Sequence, residues 1–147
     1  MISTVLNVCA PLARKFEGLR LQAYLCPAGI PTIGYGHTRG VSLGQTITKE
    51  EAEQLLLTDL TAAALDTVRL CPVLAHSPIR WAAVADFTFN LGSGRLKAST
   101  LRRRINAGEY DDVPYELSRW VRGDGRVLPG LVARRNAEIS LWKSADE

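Results

Sequence analysis

The chain has 147 residues, of which 46% are hydrophobic and 22% are charged, and its formal net charge is +3. These values are typical of one globular domain and exclude a disordered or fibrous protein. The three cysteines have no CxxC spacing and the histidines number two, so we expect no disulfide framework, no metal site and no cofactor. The apolar N-terminal run has no basic segment before it and is interrupted by Asn7 and Pro11, so we expect neither a signal peptide nor a stable membrane anchor.

The first predicted element is a helix that ends at Gly18, a residue type suited to the left-handed conformation after a helix. Apolar residues recur at helical spacing before it: Val5, Val8, Leu12 and Phe16. This helix carries Glu17 in its last turn.

A β-hairpin is predicted next. The segments AYLC and TIGYGH flank the sequence PAGIP, whose glycine and prolines favour a five-residue loop. A symmetric loop centred on Gly29 would place Cys26 opposite Thr32.

A long helix follows, because Thr48 and Glu51 have the spacing of a capping box and the run from Lys49 to Leu70 contains no glycine or proline. Pro72 ends it.

The rest of the chain predicts further helices. Their expected N-terminal residues are Ser77 with Pro78, Ser99, Asp111 or Asp112, and Pro129. The segment from Ile79 to Leu91 is apolar on nearly every face, which indicates a buried central helix stopped by the Gly-Ser-Gly run at 92–94.

The sequence therefore predicts a mainly helical α+β fold in a single domain. We expect a small N-terminal β-hairpin lobe at about 12–47, a connecting helix at about 48–71 and a helical C-terminal lobe at about 72–147. A groove should form where the two lobes meet.

Glu17 is the first candidate for chemistry. It follows Phe16 and precedes Gly18 and Leu19, and an apolar environment disfavours the ionised form of a carboxyl group, as a glycosidase general acid requires. Taken alone, Glu17 could equally be an exposed glutamate at a helix end, and Cys26 could be a small buried apolar residue.

The spacing of three residues distinguishes these alternatives. Eight residues separate Glu17 from Cys26, and five separate Cys26 from Thr32, within the sequences FEGLRLQAY and PTIGYGHT. This pattern resembles the catalytic signature of the phage-type lysozymes, the endolysin muramidases of glycoside hydrolase family 24, in which the middle position is aspartate or cysteine. The similarity continues through FTFNLGSG, STLRRRINAG, RWV and LPGLVARR, and so covers nearly the whole chain.

The resemblance implies a lysozyme-like fold and a role for each matching residue. Glu17 would protonate the glycosidic oxygen between N-acetylmuramic acid and N-acetylglucosamine. Cys26 would stabilise the developing positive charge or assist the attacking water, and Thr32 would orient that water. Further matching positions are the sugar-contacting candidates Phe89, Asn90, Ser99 and Thr100, the basic neighbour Arg134 and the supporting His37.

Two residues also have structural interpretations. His37 is expected to bond an acidic partner on the long helix, Asp59 or Asp66. Asp86 lies in the nearly all-apolar helix and must find a partner if it is buried.

Cys26 leaves the mechanism open, because a free thiol is mostly neutral at neutral pH. It could act as a thiolate base, as a neutral group that holds water, or as a nucleophile. The resemblance favours a reaction that inverts the configuration at the anomeric carbon. A disulfide from Cys26 to Cys9 or Cys71 would inhibit the enzyme.

The resemblance implies an endolysin that acts on the glycan strand of peptidoglycan as a monomer. It would be made in the host cytoplasm and reach the periplasm or cell wall after a holin permeabilises the membrane. A lytic transglycosylase, which forms a 1,6-anhydro product, is the enzymatic alternative. A basic helical nucleic-acid-binding module is the non-enzymatic alternative, but a charge of +3 without an aromatic and basic stripe makes nucleic acid an unexpected partner.

Overall fold

The structure is a computed structural model that describes residues 1–147. Seven α-helices and two small hairpins make up the fold. In chain order they are α1 (Ile2–Glu17), β1 (Arg20–Leu25), β2 (Pro31–Gly34), α2 (Lys49–Leu70), α3 (Pro78–Leu91), α4 (Ser93–Ala98), α5 (Thr100–Asn106), α6 (Val113–Ser118), β3 (Arg122–Gly123), β4 (Arg126–Val127) and α7 (Pro129–Ser144). None of the helices combines the length and the apolar character that a membrane-spanning segment needs.

Helix α1 ends where the sequence predicts, at Gly18, whose φ of 71° lies in the left-handed region. Its buried residues are Val5, Cys9, Ala10 and Ala13, and with them it packs against α2 and α3. Because Glu17 is the last helical residue, its side chain emerges at the edge of this packed face.

The β1–β2 hairpin forms as expected, but its predicted register is wrong. Tyr24, not Cys26, pairs with Thr32, and Leu25 pairs with Pro31. The turn takes in Cys26, whose backbone N–H donates to the Ile30 carbonyl at 3.0 Å. The centre of the loop is thus displaced by one residue toward the N-terminus. This register places Pro31 at the first position of an edge strand, where proline is tolerated.

Helix α2 has the bounds that its capping box predicts. The Glu51 N–H donates to Thr48 Oγ1 at 3.1 Å, and the Thr48 N–H donates to Glu51 Oε1 at 3.2 Å. After Leu70 a short 3-10 turn over Pro72–His76, which was not predicted, leads into α3.

Helix α3 is the centre of the core, as its apolar composition predicts, and every residue from Trp81 to Thr88 is buried. Two polar contacts fix it against α2: the Trp81 indole donates to the Ala64 carbonyl at 2.8 Å, and the Thr67 and Thr88 hydroxyls are 2.7 Å apart. Asp86 lies on this helix with no exposure to solvent, so its carboxyl needs partners inside the protein.

The C-terminal helices differ from prediction in two details. Helix α3 ends at Leu91 as expected, but no loop follows it, because α4 begins at Ser93. Asp112 is the residue before α6, but no side-chain cap forms there, because a 3-10 turn over Tyr110–Asp112 already leads into the helix. Ser99 and Pro129 begin α5 and α7 as predicted.

Candidate active site

Glu17 lies where two grooves meet, and its side chain is 22% exposed. Arg134 on α7 donates from Nη1 to Glu17 Oε2 at 2.5 Å. The contact joins residues that are 117 positions apart in sequence, so the helical part of the fold holds the carboxyl that α1 delivers. Glu17 is therefore an immobilised carboxyl at the surface of a cleft.

The first groove has a volume of about 430 Å³ and lies between the hairpin side and the end of α3. One wall is formed by the loop after β2 and by a face of α2, including Arg39, Thr58, Asp59 and Asp66. The other wall is formed by Phe89 and its neighbours at the end of α3. Hydroxyls, carboxylates and one aromatic ring form a lining that suits a hydroxylated ligand.

The second groove, of about 490 Å³, lies on the other side of Glu17. Phe16, Leu128, Leu131 and Arg134 are among its lining residues. Glu17 and Asn90 border both grooves, so the two form one path that passes the carboxyl. An extended polymer in this path would present a central bond to Glu17.

Charged groups surround the Glu17 carboxyl, so the prediction of an apolar environment is wrong. Arg134, which is 3% exposed, also donates to both oxygens of Asp86, from Nε and Nη2, each at 2.9 Å. Burial disfavours the charged guanidinium, but the hydrogen bonds and charges of Asp86 and Glu17 outweigh it and raise the pKa of Arg134. Arg134 is therefore a permanent cation that joins the two carboxylates.

Cys26 and Thr32 lie together at the hairpin turn. The Ile30 N–H, assisted by the amide of Ala28, lowers the pKa of the Cys26 thiol, because these donors stabilise the thiolate. Thr32 is buried and donates from Oγ1 to the Ile30 carbonyl at 2.8 Å. The turn that displaces Cys26 from the predicted register thus also favours the ionised form of its thiol.

His37 makes the predicted contact with the long helix. Its Nδ1 lies 2.7 Å from Asp59 Oδ2, and its Nε2 lies 2.9 Å from the Arg39 carbonyl. Both ring nitrogens are thus engaged within the wall of the first groove, which supports a structural role.

The predicted sugar-contacting residues fall into two places. Phe89 and Asn90 line the groove beside Glu17. Ser99 and Thr100 border a separate cavity of about 570 Å³ beside Trp120. Ser99 Oγ caps α5 by accepting from the Arg102 N–H at 3.0 Å. The role of these two residues as sugar contacts stays a prediction.

Several residues of the site were not identified from sequence. Gly36 approaches Glu17 Oε1, and Thr58 and Asp66 line the first groove. Asp86, which the sequence suggested only as a structural residue, lies one side chain away from Glu17. The charge of Asp86 within an all-apolar helix was the signal that could have drawn attention to it.

The remaining cysteines lie in the core. Cys9 and Cys71 have no exposure to solvent and are unpaired, whereas Cys26 is partly exposed. Burial raises the pKa of Cys9 to about 12 and that of Cys71 to about 11. These thiols are enclosed and protonated, so they are poor partners for a disulfide with Cys26.

Comparison with known proteins confirms the resemblance seen in the sequence. The phage lysozyme family model matches residues 14–138. An endolysin of Acyrthosiphon pisum secondary endosymbiont phage 1 is 39% identical over 140 residues, which cover 91% of this chain and 94% of that protein.

Solved structures have the same lysozyme-like fold. The muramidase domain of SpmX from Asticaccaulis excentricus has a TM-score of 0.81 and 32% identity, covering 95% of this chain and 94% of that one. The active form of the P1 phage endolysin Lyz has a TM-score of 0.84 at 22% identity, covering 100% of this chain and 96% of that one, and shows likeness of fold. The chain belongs to the phage lysozyme family.

Proposed function

We propose that this glycoside hydrolase is a phage endolysin that cleaves the β-1,4 bond between N-acetylmuramic acid and N-acetylglucosamine, with Glu17 as the general acid. The observation that carries the proposal is the position of Glu17 at the junction of two grooves, fixed by Arg134. The endolysin and muramidase names of its relatives support peptidoglycan as the substrate.

In this mechanism Glu17 donates a proton to the glycosidic oxygen as the bond breaks. Arg134 holds Oε2, and Oε1 lies against Gly36, so the carboxyl has a fixed orientation. A polymer that fills both grooves excludes water from the carboxyl and holds one bond beside it, which converts many weak sugar contacts into correct positioning. Proton donation of this kind contributes roughly 10²–10⁴-fold to a rate.

Cys26 acts as a thiolate on the side of the hairpin in this proposal. The amide donors of its turn favour the anion, which can stabilise positive charge on the sugar or take a proton from the attacking water. Thr32 Oγ1 gives its own hydrogen to the Ile30 carbonyl, so it can only accept from a water molecule. A water molecule that donates a hydrogen to Thr32 keeps a lone pair free to attack the anomeric carbon.

A turbidity assay on outer-membrane-stripped cells tests the proposal with three variants. Glu17→Gln removes the transferable proton and should lower the rate by at least about 100-fold. Cys26→Asp should remain active, because a carboxylate can perform either role of the thiolate, whereas Cys26→Ser should lose most activity. Equal rates for wild type and Glu17→Gln would contradict the proposal.

Product analysis separates hydrolysis from the transglycosylase alternative. Hydrolysis gives a reducing muramic acid end, whereas a lytic transglycosylase gives a 1,6-anhydro sugar. We expect reducing ends, since the proposal assigns Cys26 and Thr32 to an attacking water, which a lytic transglycosylase does not need. No particular contact in the structure favours the nucleic-acid-binding alternative.

The route to the wall is part of the same proposal. The enzyme would be made in the host cytoplasm and would act as a monomer in the periplasm or cell wall once a holin opens the membrane. The endolysin names of its relatives support this route. Cells that express the chain should lyse on co-expression of a pore-forming protein and should not lyse with the Glu17→Gln variant under the same conditions.

A further inference from the structure

Asn90 is a polar residue at the point where the two grooves meet. It borders both grooves, as Glu17 does, and lies near the end of α3. The residue is half-buried, and its side-chain oxygen Oδ1 accepts a hydrogen bond from Arg135 Nη2 at 2.7 Å. One end of the Asn90 amide is therefore held by the protein, beside the carboxyl that we propose as the general acid.

The chemistry of Arg135 fixes the orientation of this amide. The two ends of an asparagine side chain differ, since Oδ1 accepts hydrogen bonds whereas Nδ2 donates two. A guanidinium group has only donors, so Oδ1 is the end that can face it. Nδ2 is thus directed away from Arg135, is accessible and donates to no group of the protein. Both of its hydrogens are available to a molecule in the cleft.

Arg135 is itself held in place, so this orientation is part of the fold. The side chains of Arg135 and Glu138, one turn apart on α7, have no exposure to solvent. Arg135 Nε lies 2.8 Å from Glu138 Oε1, and Nη2 also donates to Glu138 Oε2 at 3.0 Å. Nη1 donates to the Trp120 carbonyl at 3.4 Å. Because its other sides face a carboxyl group and a carbonyl, the planar guanidinium has little freedom to turn away from Asn90.

We propose that Asn90 donates to the acetyl carbonyl of an N-acetylated amino sugar beside the bond that Glu17 protonates, and that Arg135 directs the Asn90 amide into the cleft. Asn90 is then a specificity-determining residue, and Arg135 is a positioning residue that touches no substrate. The inference rests on the proposed function, because it names the substrate group that the same cleft selects.

The chemistry of the substrate explains why a donor is useful at this position. In a β-1,4-linked amino sugar the acetamido group is on C2, next to the C1 atom whose bond is cleaved, so it lies close to the glycosidic oxygen. Its carbonyl oxygen only accepts hydrogen bonds and therefore complements Asn90 Nδ2. An N-deacetylated sugar instead presents an ammonium group, which only donates and would face both Nδ2 and the Arg134 guanidinium. The cleft should therefore favour acetylated sugars.

Binding to the Glu17→Gln variant tests the proposal without turnover. The probes are soluble peptidoglycan fragments with intact acetamido groups and the same fragments after N-deacetylation, in a buffer acidic enough to keep the freed amines charged. Calorimetry should give a Kd that is at least about tenfold lower for the acetylated fragments. Equal Kd values, or failure of the acetylated fragments to bind, would overturn the proposal.

Asn90→Asp in the same background separates donation to the substrate from packing. A carboxylate has nearly the same shape and still accepts from Arg135, but it has no hydrogen to donate and attracts an ammonium group. The preference for acetylated fragments should fall to about twofold or less, or reverse. Asn7→Asp is the matched control, because Asn7 is exposed on α1 and borders neither groove, and it should leave the preference unchanged. The same preference in both variants would overturn the proposal.

Replacing Arg135 and Glu138 together tests the positioning role. A buried ion pair can often be replaced by apolar residues of similar volume without loss of stability, so we expect Arg135→Met with Glu138→Leu to fold. The Asn90 amide could then turn, and the preference for acetylated fragments should fall at least about threefold. An unchanged preference in the folded double variant would overturn the role of Arg135.

Nuclear magnetic resonance tests the same arrangement without changing either residue of the ion pair. Acetylated fragments added to the Glu17→Gln variant should shift the side-chain amide signals of Asn90 and leave the guanidinium signals of Arg135 nearly in place. Unmoved Asn90 signals in the presence of bound fragments would overturn the proposal, even if the double variant failed to fold.

These outcomes are distinguishable from failure of the proposed function. If Glu17→Gln bound the fragments with the expected preference but lysed walls as well as wild type, the general acid would be wrong and the recognition of the acetyl group would stand. If Glu17→Gln were inactive and showed no preference, the function would stand and the role of Asn90 would be wrong.

Discussion

Gly36 approaches Glu17 so closely that a Cβ atom at position 36 would lie 2.8 Å from Glu17 Oε1. Gly36 also has a φ of 81°, in the left-handed region that residues with a side chain rarely adopt. Two independent constraints therefore require glycine here. The hairpin side of the cleft fixes one oxygen of the carboxyl by steric contact, and Arg134 fixes the other by an ion pair.

Gly36→Ala should displace Glu17 and lower kcat at least tenfold, because the methyl group and Oε1 cannot occupy their positions together. Gly40→Ala is the matched control, since Gly40 has a φ of 70° and no atoms within 4 Å of its Cβ position. Both substitutions should cost about 1–2 kcal/mol of unfolding free energy from backbone strain. Lysis assays and urea unfolding of the two variants provide the measurements, and equal losses of activity would contradict the steric role of Gly36.

Arg134→Lys should lower both activity and stability although it preserves the charge. A lysine ammonium cannot reproduce the planar fork that contacts Asp86 and Glu17 together, and breaking a buried ion pair costs about 3–5 kcal/mol. We expect a loss of about 2–4 kcal/mol in urea unfolding, since the lysine can retain one of the ion pairs. The rate on peptidoglycan should fall at least tenfold.

Arg14→Lys is the corresponding control for Arg134→Lys. Arg14 makes a two-nitrogen contact with Glu53, but its side chain is 37% exposed. Exposed ion pairs contribute about 0–1 kcal/mol, so this variant should unfold almost as the wild type does and keep its rate. If Arg14→Lys were as damaging as Arg134→Lys, the loss would reflect lysine in general and not the contact with Glu17.

Local signals in the sequence were sufficient for most helix ends. Gly18, the Thr48 and Glu51 box, and Pro129 each act on the backbone within one turn, so their effect does not depend on the rest of the fold. The predicted hairpin register was wrong, because the loop could close in more than one way. Pairing Tyr24 with Thr32 buries the threonine and leaves Cys26 in the turn.

The buried charges could not be predicted from sequence in the same way. Asp86 and Arg134 are 48 positions apart, and Glu138 lies in a polar stretch of α7 that resembles an exposed helix face. Their burial results from the packing of α7 against α3 and α6, which is a tertiary effect. From the sequence we could infer only that a buried Asp86 needs a partner. The fold determines that this partner is Arg134, which also contacts Glu17.

Cys26 should be the thiol that reacts with a small alkylating agent near neutral pH. Its turn lowers its pKa through the Ile30 amide and neighbouring donors, whereas Cys9 and Cys71 are buried and their pKa values are raised to about 12 and about 11. Mass spectrometry after brief treatment with iodoacetamide should find the label on Cys26, together with loss of lysis. Labelling of Cys9 or Cys71 in the folded protein at a comparable rate would contradict this assignment.

The pH dependence of the rate should reveal which form of Cys26 works. If the thiolate is active, the rate of the wild type rises with pH through a pKa below that of an ordinary thiol. In Cys26→Asp this rise should occur several pH units lower, because a carboxyl ionises near pH ~3.9. Superimposable profiles for the two proteins would show that a neutral Cys26 suffices.

Alkaline conditions should destabilise the fold through Cys9 and Cys71. Burial raises their pKa values from 9.0 to about 12 and about 11, so the folded state keeps protons that the unfolded state releases. Their contribution to stability is therefore complete below pH ~9 and is lost as the pH rises through the folded-state values. Over that interval, ionisation of each thiol lowers the free energy of unfolding by up to about 1.4 kcal/mol per pH unit.

Urea unfolding under reducing conditions, at pH about 8 and about 10.5, measures this fall directly. The double variant Cys9→Ala with Cys71→Ala should be less stable at the lower pH, because each substitution leaves a small cavity, but its stability should decline less at the higher pH. Cys26→Ala is the control, since a lowered thiol pKa contributes stability above the unfolded-state value and produces no such decline. An equal alkaline decline in all three proteins would show that other groups, and not the two core thiols, control stability at high pH.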